Sequence, residues 1–189
     1  MSGPFRTRDF RPVPAELRPH RRRAAARALV VAAGCVLLLR DTDPGLPGSR
    51  WWVTPSGGSD PGEDAVRAVI RELFEETGLV ASPAGLLGPV AVRDVTHGYS
   101  DQVLHQREDF FVLRLPERID PDPGGLTAEE QVTLDGWAWQ PLDGLAEVAE
   151  PVWPANLADL VALADLPDAW PLDLGHVEES TVPVDPALH

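Results

Sequence analysis

The stretch Arg71-Glu72-Leu73-Phe74-Glu75-Glu76-Thr77-Gly78-Leu79 constrains this chain more than any other. It reads as the last turns of a helix stopped by Gly78, at the position where a glycine in the left-handed conformation ends helices. At roughly 100° per residue, Glu72, Glu75 and Glu76 share one face at spacings i, i+3 and i+4. Val66, Val69, Ile70, Leu73 and Phe74 fall on another face, which predicts a buried stripe. Like charges at these spacings repel by ~0.2–0.5 kcal/mol per pair. Such a face is either simply solvated or holds a hard divalent cation. Mg²⁺ suits it, because it takes carboxylate oxygens and keeps waters that a phosphate can displace.

The spacing of the longer stretch favours the cation. Gly57, five residues, Glu63, seven residues, Arg71-Glu72-Leu73, one residue, Glu75-Glu76, one residue and Gly78-Leu79 resembles the Nudix box at each of its nine fixed positions. Two flanking features are also similar to that family. Trp52-Val53-Thr54-Pro55-Ser56-Gly57-Gly58 leads into the box, with Ser56 where many members have a further glycine. Trp137-Ala138-Trp139 precedes the turn Pro141-Leu142-Asp143-Gly144-Leu145. The resemblance implies an α/β fold: a Nudix-type α/β/α sandwich, with a mixed central sheet between the box helix and a C-terminal helix.

The same resemblance implies that Glu72, Glu75, Glu76 and the Gly57 carbonyl bind Mg²⁺ or Mn²⁺. Glu63 and Arg71 would then hold those carboxylates in place. It implies a pyrophosphohydrolase that cleaves a diphosphate linkage in a nucleoside diphosphate linked to another moiety. The alternative is a non-catalytic sensor of the same fold that binds a nucleotide without turnover. The chemistry is consistent, since divalent ions on a carboxylate cluster neutralise a diphosphate and activate water. Oxygen-only ligands favour Mg²⁺ or Mn²⁺ over zinc.

The general base is open. The candidates are the box glutamates Glu75 and Glu76, an acid on a later strand, or an acid on a mobile loop. Glu108 and Asp109 are adjacent in a strand and point to opposite faces, with Glu108 expected to face the helix. Glu129 and Glu130 lie in a long polar loop. His97 and His105 are expected to be structural or exposed. Tyr99, Trp51 or Trp139 could stack on a nucleobase or sit in the core. Accessory motifs that would name a substrate are absent; the proline associated with ADP-ribose pyrophosphatases would fall at Arg93.

At 189 residues and 43% hydrophobic, the chain suffices for one domain with a full core. Residues 1–22, rich in arginine and proline, are expected to be a loose basic arm. His20-Arg21-Arg22-Arg23 within it could contact an anionic partner. Residues 23–167 form the domain, and residues 168–189 are expected to be a Pro-rich tail. Strands are predicted in 27–40, 51–53, 90–95, 102–115 and 136–139, and a second amphipathic helix over 155–164.

The net charge of −14 is uneven, because eight arginines fall in residues 1–27. So acidic a body disfavours long nucleic acid and suits a protein that concentrates metal cations; the small-molecule nucleotide substrate is what the resemblance implies. Without a lysine, Schiff-base and P-loop mechanisms are excluded. No apolar run reaches a membrane span, no signal peptide is apparent, and the single Cys35 reads as a reduced core residue; a cytoplasmic location is expected. Many members of the family dimerise, which leaves a homodimer open.

Overall fold

A long parallel strand pair forms the spine of the molecule. In the computed structural model, which describes residues 8–184, β1 (His20–Ala32) runs beside β6 (Val103–Arg114) from His20 opposite Val103 to Val31 opposite Arg114. Both strands carry apolar residues on both faces, as a sheet covered on two sides requires.

β1 turns into β2 (Cys35–Asp41) through Ala33 and Gly34, with φ of 48° and 74°. Two consecutive positive φ values make the two-residue hairpin turn that matches strand twist. β2 pairs with β3 (Trp51–Val53), which continues into β4 (Ser56–Gly58) back against Ala25–Arg27 of β1. β5 (Leu86–Gly98) flanks β6, and β7 (Leu134–Pro141) flanks β2. The short β8 (Val152–Trp153) and the edge strand β9 (Leu172–Glu178) complete a mixed nine-stranded sheet.

Each face of the sheet has one helix. Ala26, Ala28, Val30, Phe111 and Leu113 pack on Ala68, Val69 and Leu73 of α1 (Ala65–Thr77). Leu29, Val31, Phe110 and Val112 pack on the opposite side; beyond the four-residue α2 (Glu130–Thr133), α3 (Leu157–Leu163) supplies Leu157, Leu160 and Val161 there. This is the expected α/β/α sandwich. α1 starts at Asp64, whose side chain accepts from the Arg67 N–H, and ends at Gly78 with φ of 72°.

Three expectations need correction. Phe74 is 56% exposed rather than part of the buried stripe, whereas Glu72 and Glu76 are each only 5% exposed. The helix is rolled so that its acidic face is turned inward. The loose tail from 168 is instead built into the fold, since β9 runs parallel to β5 and Glu179 pairs with Arg93. The basic arm ends earlier than expected: residues 20–22 already belong to β1, and Val13 donates to the Ser100 carbonyl. Residues 1–7 of the arm and 185–189 of the tail lie outside the described residues.

Candidate metal and catalytic site

The inward roll of α1 requires space, and a glycine provides it. A Cβ on Gly57 would lie 2.0 Å from the Glu72 carboxyl group, so any larger residue there would displace that side chain. Glu76 reaches the same strand and accepts from the Ser56 N–H at 2.8 Å. Glu130 arrives from the other side of the cleft, at the start of α2. Glu72, Glu76 and Glu130 thus offer carboxylate oxygens all within 4.8 Å of one another.

Glu130 is held by a reciprocal cap. Thr127 Oγ1 and the Thr127 N–H both donate to Glu130 Oε2 at 2.7 Å, and the Glu130 N–H returns to Thr127 Oγ1. This is the S/T-x-x-E capping box, and Thr127-Ala128-Glu129-Glu130 shows it in the sequence. It is the signal that would have singled out Glu130 from the neighbouring acid.

Arg71 organises the other carboxylates. It donates to both oxygens of Glu63 (3.1 and 2.8 Å), to Glu72 Oε1 at 2.6 Å, to Glu75 Oε2 at 3.1 Å and to the Gly58 carbonyl at 2.8 Å. The hydrogen bonds from Arg71 lower the Glu63 pKa, and those same bonds raise that of Arg71. Glu72 and Glu76 go the other way. Burial pushes Glu72 up to about 7 against the pull of Arg71, and burial followed by repulsion from Glu72 and Glu130 pushes Glu76 well above the carboxylate range.

A cavity of about 210 Å³ opens beside Glu76 and Glu130. Its walls include Arg21, Arg23, Trp51, His97, Tyr99 and Trp153. Among the described residues, three buried side-chain atoms have no hydrogen-bond partner: Glu72 Oε2, Arg21 Nε and His97 Nε2. All three belong to the carboxylate cluster or to this cavity.

The family model described as NUDIX domain matches residues 20–162. The chain belongs to the Nudix family. A protein named RNA pyrophosphohydrolase from Mesorhizobium japonicum is 32% identical over 114 residues, covering 54% of this chain and 64% of its own length. One of the same name from Brucella abortus is 32% identical over 122 residues, covering 54% and 62%. The chain therefore spans less than two thirds of these relatives. Among solved structures, a MutT protein from Methanosarcina mazei Go1 superposes with a TM-score of 0.51 at 19% identity, covering 80% of this chain and 97% of its own. A MutT Nudix hydrolase from Burkholderia pseudomallei gives 0.50 at 23%, covering 75% and 98%. At these identities they show the Nudix fold alone.

Within the Nudix helix, the expected ligands divide. Glu72 and Glu76 meet in the cluster, while Glu75 is turned toward Arg71 and is not in it. Gly57 lies against the Glu72 carboxyl group. Glu108 is not brought to the carboxylates. It lies on the sheet face of Phe110 and Val112, packed toward α3, and it is fully buried between two arginines. Arg27 Nε donates to its Oε1 at 2.7 Å and Arg93 Nε to its Oε2 at 2.8 Å. Burial alone would raise its pKa, but Arg27, His97 and Arg93 overcome that and hold it well below the usual carboxylate range. A carboxylate so fully paired has no affinity to spare for a water proton.

No helix among the described residues is long and apolar enough to cross a membrane. Cys35 is a buried free thiol, as expected.

Proposed function

We propose that the protein is a divalent-metal-dependent pyrophosphohydrolase acting on the phosphate chain of a nucleotide. The observation that carries this reading is the cluster of Glu72, Glu76 and Glu130 with a buried, unpartnered Glu72 Oε2. A buried acceptor without a partner costs about 1–3 kcal/mol, and the crowding of three carboxylates, two of them with pKa values raised by burial, adds to that. A hard cation compensates both, and the all-oxygen donor set fits Mg²⁺ or Mn²⁺. When bound, such an ion would neutralise diphosphate charge and acidify a water.

The chain's own groups do the rest. Glu72 and Glu76 would hold the ion, with the Gly57 carbonyl as a further ligand. Arg71 and Glu63 fix the direction of Glu72 and keep Glu75 in reserve at the rim. Glu130 is the preferred general base: it stands across the cleft from the Nudix helix, and its cap occupies Oε2 with Thr127, which leaves Oε1 to take a proton. The relatives named RNA pyrophosphohydrolase support a nucleoside 5′-polyphosphate as the reacting group. A cavity of about 210 Å³ is small beside typical ligand pockets of ~300–1,000 Å³, so it would enclose only part of such a substrate.

The deciding experiment is phosphate release with Mg²⁺ and Mn²⁺. The panel comprises nucleoside triphosphates, ADP-ribose, dinucleoside polyphosphates, nucleotide sugars and a 5′-triphosphorylated RNA, with Glu76→Gln beside it. Turnover of one class by the wild type and none by the variant is expected. No metal-stimulated turnover on any substrate, with a nucleotide still raising the melting temperature, would make the protein a sensor instead.

A further inference from the structure

Glu130 reaches the carboxylate cluster from an element that the core does not hold. α2 is four residues long and buries none of them, and Val132 on it is 54% exposed. A helix this short has no stability of its own, and the Thr127 cap that shapes it is internal to the loop. Polar ties fasten the segment to the body instead. Upstream, the Asp122 N–H donates to the Thr77 carbonyl at the end of α1, at 2.9 Å; downstream, the Thr42 N–H donates to the Thr133 carbonyl at 3.0 Å. Between them, Glu129 Oε1 accepts from the Arg8 N–H at 2.9 Å. That bond spans 121 positions of the chain and comes from the segment expected to be loose.

Arg8 is itself firmly seated. Its Nε donates to Asp101 Oδ2 at 3.0 Å and its Nη2 to Asp101 Oδ1 at 2.6 Å, a bidentate pair whose side chains are only 17% and 9% exposed. Its guanidinium carbon lies 4.6 Å from the centroid of the Phe10 ring and 4.8 Å from that of Tyr99, within cation–π range of both. Asp101 belongs to the turn between β5 and β6, which the Tyr99 N–H closes by donating to the Gln102 carbonyl. The chain bends at Phe10, whose φ of 53° is uncommon for a bulky residue and persists only where neighbours hold it. One neighbour is Gly45, where a Cβ would lie 2.7 Å from the Phe10 carbonyl oxygen. Another is Ser100, whose carbonyl accepts from the Val13 N–H at 2.8 Å. Ser100 is locked in turn by the buried Asp43, which accepts from its N–H and its Oγ, both at 2.6 Å.

We infer that residues 8–13 form a strap and that Arg8 is a positioning residue for Glu130. The bidentate pair fixes the strap on the β5–β6 turn, and the Arg8 N–H fixes Glu129. Glu129 in turn fixes the helix start from which Glu130 reaches toward Glu72 and Glu76. Two of the three guanidinium nitrogens are spent on Asp101, so the side chain serves geometry rather than a ligand. The strap precedes residues 20–162, the part of the chain that matches the Nudix domain. The inference rests on the metal reading only for what Glu130 does at the cluster; the tie itself needs no metal.

The first test is millisecond amide hydrogen exchange on the full, metal-free chain. Arg8→Ala is expected to exchange about tenfold faster than wild type over residues 130–133, with residues 65–77 of α1 unchanged. Asp101→Asn should do the same, and Arg8→Lys should recover part of the protection, since it keeps the charge without the planar fork. Exchange over 130–133 within about twofold of wild type in both Arg8→Ala and Asp101→Asn, or an equal rise over 65–77, would overturn the strap. The second test is Mn²⁺ binding without substrate. Arg8→Ala and Glu130→Gln should each weaken it about tenfold, and the double variant should be no weaker than Glu130→Gln alone, because the strap acts through that carboxylate. Losses that simply add would overturn the link to Glu130. A wild type that bound no Mn²⁺ would remove the metal reading, and the exchange comparison would still decide the strap.

Discussion

Two groups of acids, each built around buried glutamates, are treated in opposite ways. Glu108 and Glu179 are neutralised by Arg27 and Arg93, with Arg93 bidentate to Glu179 at 2.7 Å for both bonds. The four charges cancel and every carboxylate oxygen named accepts a hydrogen bond. Glu72, Glu76 and Glu130 crowd within 4.8 Å of one another, Arg71 is the one guanidinium hydrogen-bonded to any of them among the described residues, and Glu72 Oε2 is left without a partner. The pKa shifts record the contrast: Glu108 is held down, while Glu72 and Glu76 are pushed up. One group is finished by the fold. The other would be completed, on the proposed function, by a cation from outside.

The largest expected effect breaks the finished group. Glu108→Gln keeps one amide oxygen as an acceptor but removes the charge, so the buried Arg27, whose other contacts are to Thr54 at 3.4 and 3.5 Å, loses its countercharge. Breaking one side of a buried pair costs about 3–5 kcal/mol. The folded pKa of Glu108 is depressed, so its contribution is fully present above the unfolded value of about 4.3 and fades as pH falls below it toward the folded pKa. Urea denaturation should therefore show a large deficit for the variant at pH 7 and a smaller one near pH 3. An equal deficit at both would mean that the loss is packing and not charge.

The next effect sharpens the other side of the comparison. Mg²⁺ at about 100 times its dissociation constant should stabilise the wild type by about 2.7 kcal/mol, since it binds only the folded cluster. Glu76→Gln should abolish that gain and be no less stable than wild type without metal, because it removes one of three crowded carboxylates. Thermal melts with and without Mg²⁺ measure both. A marked loss of metal-free stability in Glu76→Gln would place Glu76 among structural acids, like Glu108.

The contrast was only half legible in the sequence. The acidic face of α1 announced itself through three glutamates at helical spacing. Its inward roll did not, because Phe74 and Ile70 advertise a stripe that the fold leaves partly outside. Glu108 was placed on the wrong face for a related reason. Alternation separates Phe110 and Val112 from Phe111 and Leu113, but both sets are apolar and both are buried, so parity alone does not say which one meets α1. The partners of Glu108 were hidden by distance along the chain: Arg27 interrupts an apolar run, and Glu179 follows an edge strand whose residues are mostly exposed and lack a clear alternation. A charge in the middle of a buried strand did signal that a countercharge must exist. Its position depended on the sheet order, which pairs β1 with β6 and β5 with β9.

The smallest effect concerns Arg71, which hydrogen-bonds to Glu72 in the unfinished group. It makes five hydrogen bonds from a planar fork to Glu63, Glu72, Glu75 and Gly58, and its side chain is 29% exposed. Its charge is partly screened there, so direction matters more than Coulomb energy. Lysine keeps the charge but has a single ammonium centre, too compact to bridge four acceptors. Arg71→Lys should leave fold stability nearly unchanged and weaken Mg²⁺ binding about 10–100-fold, the range for residues that orient metal ligands. Activity should return at high Mg²⁺, because Glu72 and Glu76 remain. A metal titration of turnover reads this directly. If the variant needed no more Mg²⁺ than wild type, Arg71 would act as a charge alone, and the directed hydrogen bonds to Glu72 and Glu63 would not be what readies the cluster.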